Sequence, residues 1–307
     1  MRVAVVDLGT NTTRLLVADI VDGTLDEVHR ETRFTRLGEG VDARRRLLPV
    51  AIARVRNTLS DYRRTLESLG SERTLLVATS AVRDAENGEA LLGEIEWSYG
   101  FATRLLSGED EAAMTVRGVG SGRAPSPGTL ILDIGGGSTE LIVGAGAEIS
   151  FHASLQAGVV RHTERHISSD PPTAVELEAL ATDVRGLIEA AIAGHDAKPE
   201  ARTGIAVAGT PTSLAAIEME LAPYDPERVH GHILSLPPIQ RMFSRLASAP
   251  LAERTEIAGL HPDRAPTIVA GVVILVETMR AFGLDSIEVS EHDILYGAAI
   301  AAASECG

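Results

Sequence analysis

One nine-residue pattern occurs twice in this chain, 126 positions apart, and it restricts the fold more than any other feature. Asp7-Leu8-Gly9-Thr10-Asn11-Thr12-Thr13-Arg14-Leu15 is matched by Asp133-Ile134-Gly135-Gly136-Gly137-Ser138-Thr139-Glu140-Leu141. The aspartate, the first glycine, the seventh-position threonine and the closing leucine are identical. Each copy follows an apolar run (3–6; 130–132) and precedes another (15–18; 141–143), which reads as strand, tight polar turn, strand. Two equivalent hairpins so far apart predict two related lobes facing each other.

Between and after the hairpins, strand-like and helical stretches alternate. Helical patterns run over 50–69 and 88–99, with a strand-like stretch at 74–78 between them. The second half holds a strand at 204–209 leading into a helix at 210–221. It then closes with a helix at 267–282, a strand at 286–290 and a helix at 293–303. This alternation predicts an α/β architecture. Turn residues crowd 120–128, the best linker. The boundary is therefore placed at 124/125, giving lobes 1–124 and 125–307, with the last helix a candidate to pack back on the first lobe.

Both turns are built to meet an anion. Gly135, Gly136 and Gly137 let backbone approach a ligand without Cβ interference, and their N–H groups can form a cradle. Ser138 and Thr139 add hydroxyls, while Asp133 and Glu140 bracket the turn with hard oxygen ligands suited to Mg²⁺. Gly9, Thr10, Asn11 and Thr12 follow the same logic, with Asp7 as the metal-side carboxylate. A solvated glycine-rich hairpin is the alternative for either copy alone. No Gly-Lys-Ser/Thr follows, and the G-x-G-x-x-G spacing is missing, so neither is a nucleotide P-loop or dinucleotide fingerprint. A third glycine turn, at Gly209 and Thr210, ends a strand and opens a helix whose N-terminus could hold an anion; a plain Thr or Ser cap is the alternative.

The two turns are similar to the phosphate loops of the superfamily containing actin, sugar kinases and heat-shock chaperone ATPases. Within it, the chain resembles the exopolyphosphatase and guanosine pentaphosphate phosphohydrolase (Ppx/GppA) family. The resemblance is carried further by Arg36-Leu37-Gly38-Glu39-Gly40, Ala78-Thr79-Ser80-Ala81-Val82-Arg83-Asp84-Ala85, Ser107-Gly108-Glu109-Asp110-Glu111-Ala112 and His230-Gly231-His232, in the family's order. It implies two actin-like (ribonuclease H-like) lobes with a ligand cleft between them. It also implies a homodimer that releases terminal phosphate from polyphosphate, with Mg²⁺ (or Mn²⁺) as cofactor.

Residue by residue, the resemblance makes Glu111 the general base for the attacking water. Without it, Glu109, Asp110 and Glu111 read as a solvated acidic helix start. Arg83 becomes a substrate-phosphate contact, where a surface ion pair with Asp84 or Glu86 is the alternative. Asp133 and Glu140 become the metal and water-positioning carboxylates, and Ser138 a phosphate donor. His230 and His232 supply too few ligands for a metal and read as a structural or hinge feature. Leu295 and Tyr296 stand where the family usually carries Arg-Glu, which bears on substrate range. Longer members add helical C-terminal domains that help hold long polyphosphate, so the resemblance implies short chains or a nucleotide here. Two other readings stay open: the same chemistry on guanosine pentaphosphate, and a nucleotide-binding ATPase or regulator.

Composition bounds these readings. Aromatic residues are only 3%, so aliphatic side chains must build the core. The net charge of −15 argues against general nucleic-acid binding, which neutralises phosphates with Lys and Arg. Lys198 is the sole lysine beside 27 arginines, which removes most lysine-dependent mechanisms. The sole cysteine, Cys306, excludes a disulfide framework and suits a reducing cytoplasm. The apolar run at 3–6 stops at Asp7, unlike a secretory signal. The longest apolar stretch, 265–276, falls short of the roughly 20 residues that span a bilayer and reads as a buried helix. A soluble cytoplasmic protein with no membrane partner is therefore expected.

Overall fold

The computed structural model describes residues 1–71, 73–146, 148–195 and 199–304; Lys198 and Cys306 lie outside them. The chain divides into two compact units, Met1–Arg123 with His292–Gly307, and Ala124–Glu291.

The first unit holds five strands: β1 (Arg2–Leu8), β2 (Thr13–Val21), β3 (Thr24–Arg33), β4 (Arg73–Ala78) and β5 (Ala102–Leu105). Their order is β3-β2-β1-β4-β5, with β1–β2–β3 antiparallel and β4 and β5 parallel to β1. Alternation along β1 sends Ala4, Val6 and Leu8 to one core and Val3 and Val5 to another. A strand covered on both faces needs an unbroken apolar run, which is what 3–6 is. Helices Pro49–Leu69 and Gly88–Tyr99 supply the first core. Helix Ile294–Ser304 supplies more of the second than any other element. It packs closely on helix Gly108–Val119 because two glycines meet there: a Cβ on Gly118 would lie 1.9 Å from the Asp293 carbonyl oxygen, and one on Gly297 1.8 Å from that of Met114.

The second unit holds β6 (Thr129–Ile134), β7 (Thr139–Ala145), β8 (Glu148–Leu155), β9 (Thr203–Val207), β10 (Ile233–Ser235) and β11 (Ser286–Val289). Their order is β10-β11-β9-β6-β7-β8. Apart from the added β10, this repeats the first sheet in order and direction. Even the bulges correspond: the register shifts at Val17/Ala18 in β2 and at Val143/Gly144 in β7, again 126 positions apart. Both units are thus related lobes, as the duplicated pattern predicts, and actin-like ones, as the resemblance implies. Helix Ile268–Phe282, read from its apolar run, is buried almost throughout and packs in the single core of this unit. Among the described residues, no helix is long and apolar enough to cross a membrane.

Candidate active site

Register decides what gathers at one edge of each sheet. In the first unit Leu8 pairs with Ala78, and Ala78 with Leu105, so β1, β4 and β5 end together. The segments that leave them carry residues 9–12, Thr79 to Arg83, and Ser107 to Glu111. In the second unit Asp133 pairs with Val207, so the 135–138 turn and the Gly209 turn also share an edge. The carboxyl ends of parallel strands are where open α/β sheets bind ligands.

The two turns share a geometry. Gly9 N–H donates to the Thr12 carbonyl at 3.0 Å, and Gly135 N–H to the Ser138 carbonyl at 3.0 Å. Each turn is held from behind by a glycine that admits its backbone. A Cβ on Gly38 would sit 2.2 Å from Thr10 Cγ2, and Gly38 N–H donates to the Thr10 carbonyl at 2.8 Å. A Cβ on Gly158 would sit 2.3 Å from the Gly136 carbonyl oxygen. From there Val159 and Val160 N–H donate to the Gly135 and Gly136 carbonyls at 3.0 and 2.9 Å, and Arg161 Nε to the Gly137 carbonyl at 2.8 Å.

The eighth position of the repeat is where the units part. Asp133 lies directly across from Glu140 in the β6–β7 register, which puts two carboxylates on one face of the hairpin. Glu140 is 2% exposed and accepts from Ser154 Oγ at 2.8 Å. Asp7 lies across from Arg14 instead. Arg14 Nε and Nη2 donate to Asp7 Oδ2 at 2.9 and 2.7 Å, and Nη1 donates to Asp293 Oδ2. All three side chains are buried or nearly so. Burial pushes the Asp7 carboxyl above its ordinary range despite Arg14. Burial also works on Asp293, but there Arg14 and Arg30 prevail and hold the carboxyl low. For Arg14, burial favours the neutral form, and the two carboxylates together outweigh it and keep the guanidinium charged. Asp7 Oδ1 is buried with no hydrogen-bond partner among the described residues.

Glu111 opens the Gly108–Val119 helix, whose start is fixed by a capping box between Ser107 and Asp110. The cap leaves Glu111 one residue further on, 4% exposed, so it is not part of a solvated acidic face. Arg83 turns inward to it: Nη1 donates to Glu111 Oε1 and to the Leu106 carbonyl, each at 2.7 Å. Arg83 and Glu111 thus form one unit of charge beside the 9–12 turn's strand edge.

The Gly209 turn opens the Gly209–Glu218 helix without a side-chain cap. Thr212 and Ser213 hydroxyls donate instead to the Ala208 and Gly209 carbonyls at 3.0 and 2.6 Å. Ala208 holds a left-handed φ of 69°, a conformation that costs a residue with a Cβ about 1–3 kcal/mol. The Arg264 guanidinium lies against Gly209, its Nη1 1.3 Å from where a Cβ would be. His230 and His232 do not converge on a ligand site: Nδ1 of the first accepts from Glu291 N–H at 3.2 Å, and Nε2 of the second is 2.7 Å from Glu218 Oε2. Leu295 is wholly buried, and Tyr296 donates to Glu27 Oε2 at 2.8 Å, so this pair serves the first unit's own packing.

Arg14, Asp293, Arg161 and Arg264 were not singled out in the sequence. Arg14 had one visible signal, since it breaks the repeat where Glu140 stands in the second copy.

Comparison with known proteins agrees with the repeat and its turns. Residues 16–299 match the model of the Ppx/GppA phosphatase family. The chain is 38% identical to exopolyphosphatase 2 of Mycobacterium tuberculosis over 98% of each chain. It is 27% identical to a guanosine-5'-triphosphate,3'-diphosphate pyrophosphatase of Aeromonas hydrophila, covering 96% of this chain and 58% of that one. A solved Ppx/GppA family member from Aquifex aeolicus superposes with a TM-score of 0.84 at 30% identity, over 100% of this chain and 99% of that one. With its fold, its duplicated turns and these matches in agreement, the chain belongs to the Ppx/GppA phosphatase family.

Proposed function

We propose that this enzyme releases terminal inorganic phosphate from polyphosphate by in-line attack of water, with the glycine turns as its phosphate-binding groups. The observation that carries the reading is the matched hydrogen-bonded turn at the end of each lobe's first strand. The name borne by the Mycobacterium tuberculosis relative supports the same substrate.

The residues fit a hard divalent cation: Asp133 and Glu140 stand side by side, and Asp7 Oδ1 is buried without a hydrogen-bond partner among the described residues. Asp133 and Glu140 would hold Mg²⁺ (or Mn²⁺), and the ion when bound would neutralise phosphate oxygens. The protein does the rest. Backbone N–H groups of Gly9, Gly135, Gly136, Gly137 and Gly209, with the hydroxyls of Thr10, Thr12, Ser138 and Thr210 and the Asn11 amide, orient the chain end. Arg83 holds the Glu111 carboxylate in place and offers its planar fork to phosphate oxygens. Glu111 takes the proton of the attacking water, and Asp133 and Glu140 position that water. Positioning and charge stabilisation supply most of the rate in phosphoryl transfer. Cytoplasmic residence and a homodimer belong to the same proposal.

A phosphate-release panel tests the substrate. Short and long polyphosphate, guanosine pentaphosphate and ATP are compared with and without Mg²⁺. Polyphosphate is expected to give the highest kcat/KM, and chelation to abolish release. Guanosine pentaphosphate in first place would favour the second reading, which the Aeromonas hydrophila relative motivates. Tight binding without turnover of any of them would leave only a nucleotide-binding regulator.

The turn geometry has its own test. Gly158→Ala forces the 135–138 backbone to move, because the new Cβ meets backbone atoms at 2.3–2.4 Å. Displacing a positioning group by about 1 Å costs up to roughly 100-fold. Phosphate release by Gly158→Ala should fall by that order while circular dichroism stays native. Full activity would show that the turn's position is not used.

A further inference from the structure

Away from both turns, the second unit carries a cluster that the hydrolytic reading does not use. His162 and His166 stand one turn apart on helix Val159–His166, so they share a face. Asp183 meets them from helix Ala174–Ala193. One ligand atom from each of the three lies within 4.8 Å of the others. His162 is wholly buried, and neither of its ring nitrogens has a hydrogen-bond partner among the described residues. A neutral imidazole always carries one N–H and one bare nitrogen, and leaving such groups unmet in the interior is destabilising. The geometry offers a remedy for one of them.

We infer that His162, His166 and Asp183 form a binding site for a divalent transition cation of the zinc class. Two imidazoles and one carboxylate are a zinc donor set, with a fourth position left for water. Bonds of about 2.0–2.1 Å in a tetrahedron put ligand atoms roughly 3.4 Å apart. His162 Nε2 already stands 3.5 Å from Asp183 Oδ2, too far for a hydrogen bond and close to that separation. His166 Nε2, at 2.8 Å from the same oxygen, has to open by a few tenths of an ångström, which its partly exposed ring permits. Arg165 Nη1 donates to the same Asp183 Oδ2 at 3.2 Å and, being partly exposed, has to turn to the other carboxylate oxygen when Oδ2 takes the cation. Buried Arg161 is occupied on the Gly137 carbonyl.

The site's place gives it a task. The same short helix begins on the Gly135, Gly136 and Gly137 carbonyls, so a cation pinning its far end to the neighbouring helix braces the support of the 135–138 turn. This inference does not rest on the hydrolase reading, because its readouts are binding and stability.

The test uses the full chain, dialysed against chelator and returned to buffer with excess Mg²⁺ to fill hard-oxygen sites. Zn²⁺ titration by calorimetry should show one equivalent bound, and Zn²⁺ should raise the thermal midpoint. Co²⁺ substituted for Zn²⁺ should develop the visible absorption of a four-coordinate site. His166→Gln and Asp183→Asn, both partly exposed positions that leave the buried His162 in place, should each weaken Zn²⁺ by more than the 10–100-fold that outer-shell changes cost. They should also lose the thermal shift. Absence of binding by the wild type, or unchanged affinity in both variants, overturns the site.

Discussion

Glu111→Gln is expected to lower phosphate release by roughly 10²–10⁴-fold, the usual range for loss of a general base. The substitution is nearly isosteric, and the amide oxygen can still accept from Arg83 Nη1, which now bonds the carboxylate at 2.7 Å. The helix start is held by Ser107 and Asp110, not by Glu111, so the fold should not change. The loss should therefore fall on kcat, with KM and thermal midpoint close to wild type. A variant that keeps its kcat removes Glu111 from the base's role. A variant that loses KM alone assigns Glu111 to substrate binding.

The second large effect is on stability. Arg14→Met takes the guanidinium from between Asp7 and Asp293 and leaves two buried carboxylates facing each other. Removing one partner of a buried ion pair costs about 3–5 kcal/mol near neutral pH. The pH dependence has a definite sign. Without Arg14, burial and the facing carboxylate push Asp7 up unopposed, and at Asp293 only Arg30 and a backbone N–H still work against burial. The pair's folded pKa therefore rises relative to wild type, above the ordinary aspartate value of about 3.9. An acid raised on folding destabilises the native state above that raised pKa and ceases to do so once it is protonated. The stability gap between variant and wild type should thus be widest at pH 7 and shrink as pH falls through the raised values. Urea unfolding of both proteins from pH 7 down to about pH 4 measures it. A gap that is small at pH 7, or that grows on acidification, contradicts the role given to Arg14.

Much of the fold could be read because its signals are local. The hairpins announce themselves as apolar run, turn and apolar run, and the helices over 50–69 and 88–99 lie within a residue of Pro49–Leu69 and Gly88–Tyr99. The third strand of the first sheet shows no such signal. It reads Thr24–Arg33 with Asp26, Glu27, His29, Arg30 and Glu31 inside it, since an edge strand without a buried residue needs no apolar alternation. Helix Ala174–Ala193 likewise went unread, having only Leu180, Val184 and Ile188 buried.

The site divides along the same line. Turn residues were visible because glycines and hydroxyls cluster within nine positions, and Glu111 because a family segment contains it. What holds them was not visible. Asp293 reaches Arg14 across 279 positions, and Arg83 finds Glu111 across 28, separations over which composition and periodicity say nothing. Gly158 looks like an ordinary loop glycine, and Gly38 like part of a family segment with no stated task, until the backbone behind each turn is drawn in. Chemistry-bearing residue types were legible, and their partners were set by tertiary structure.

The central claim is that the glycine turns bind phosphate and that Glu111 activates the water attacking the terminal group. Crystals of Glu111→Gln grown with a short polyphosphate and Mg²⁺ test it most directly, because the variant should bind without turning over. The account predicts phosphate held on the backbone N–H groups of a glycine turn, with residue 111 beside the terminal phosphorus. Phosphate bound away from the turns, or residue 111 remote from the chain's end, would contradict it.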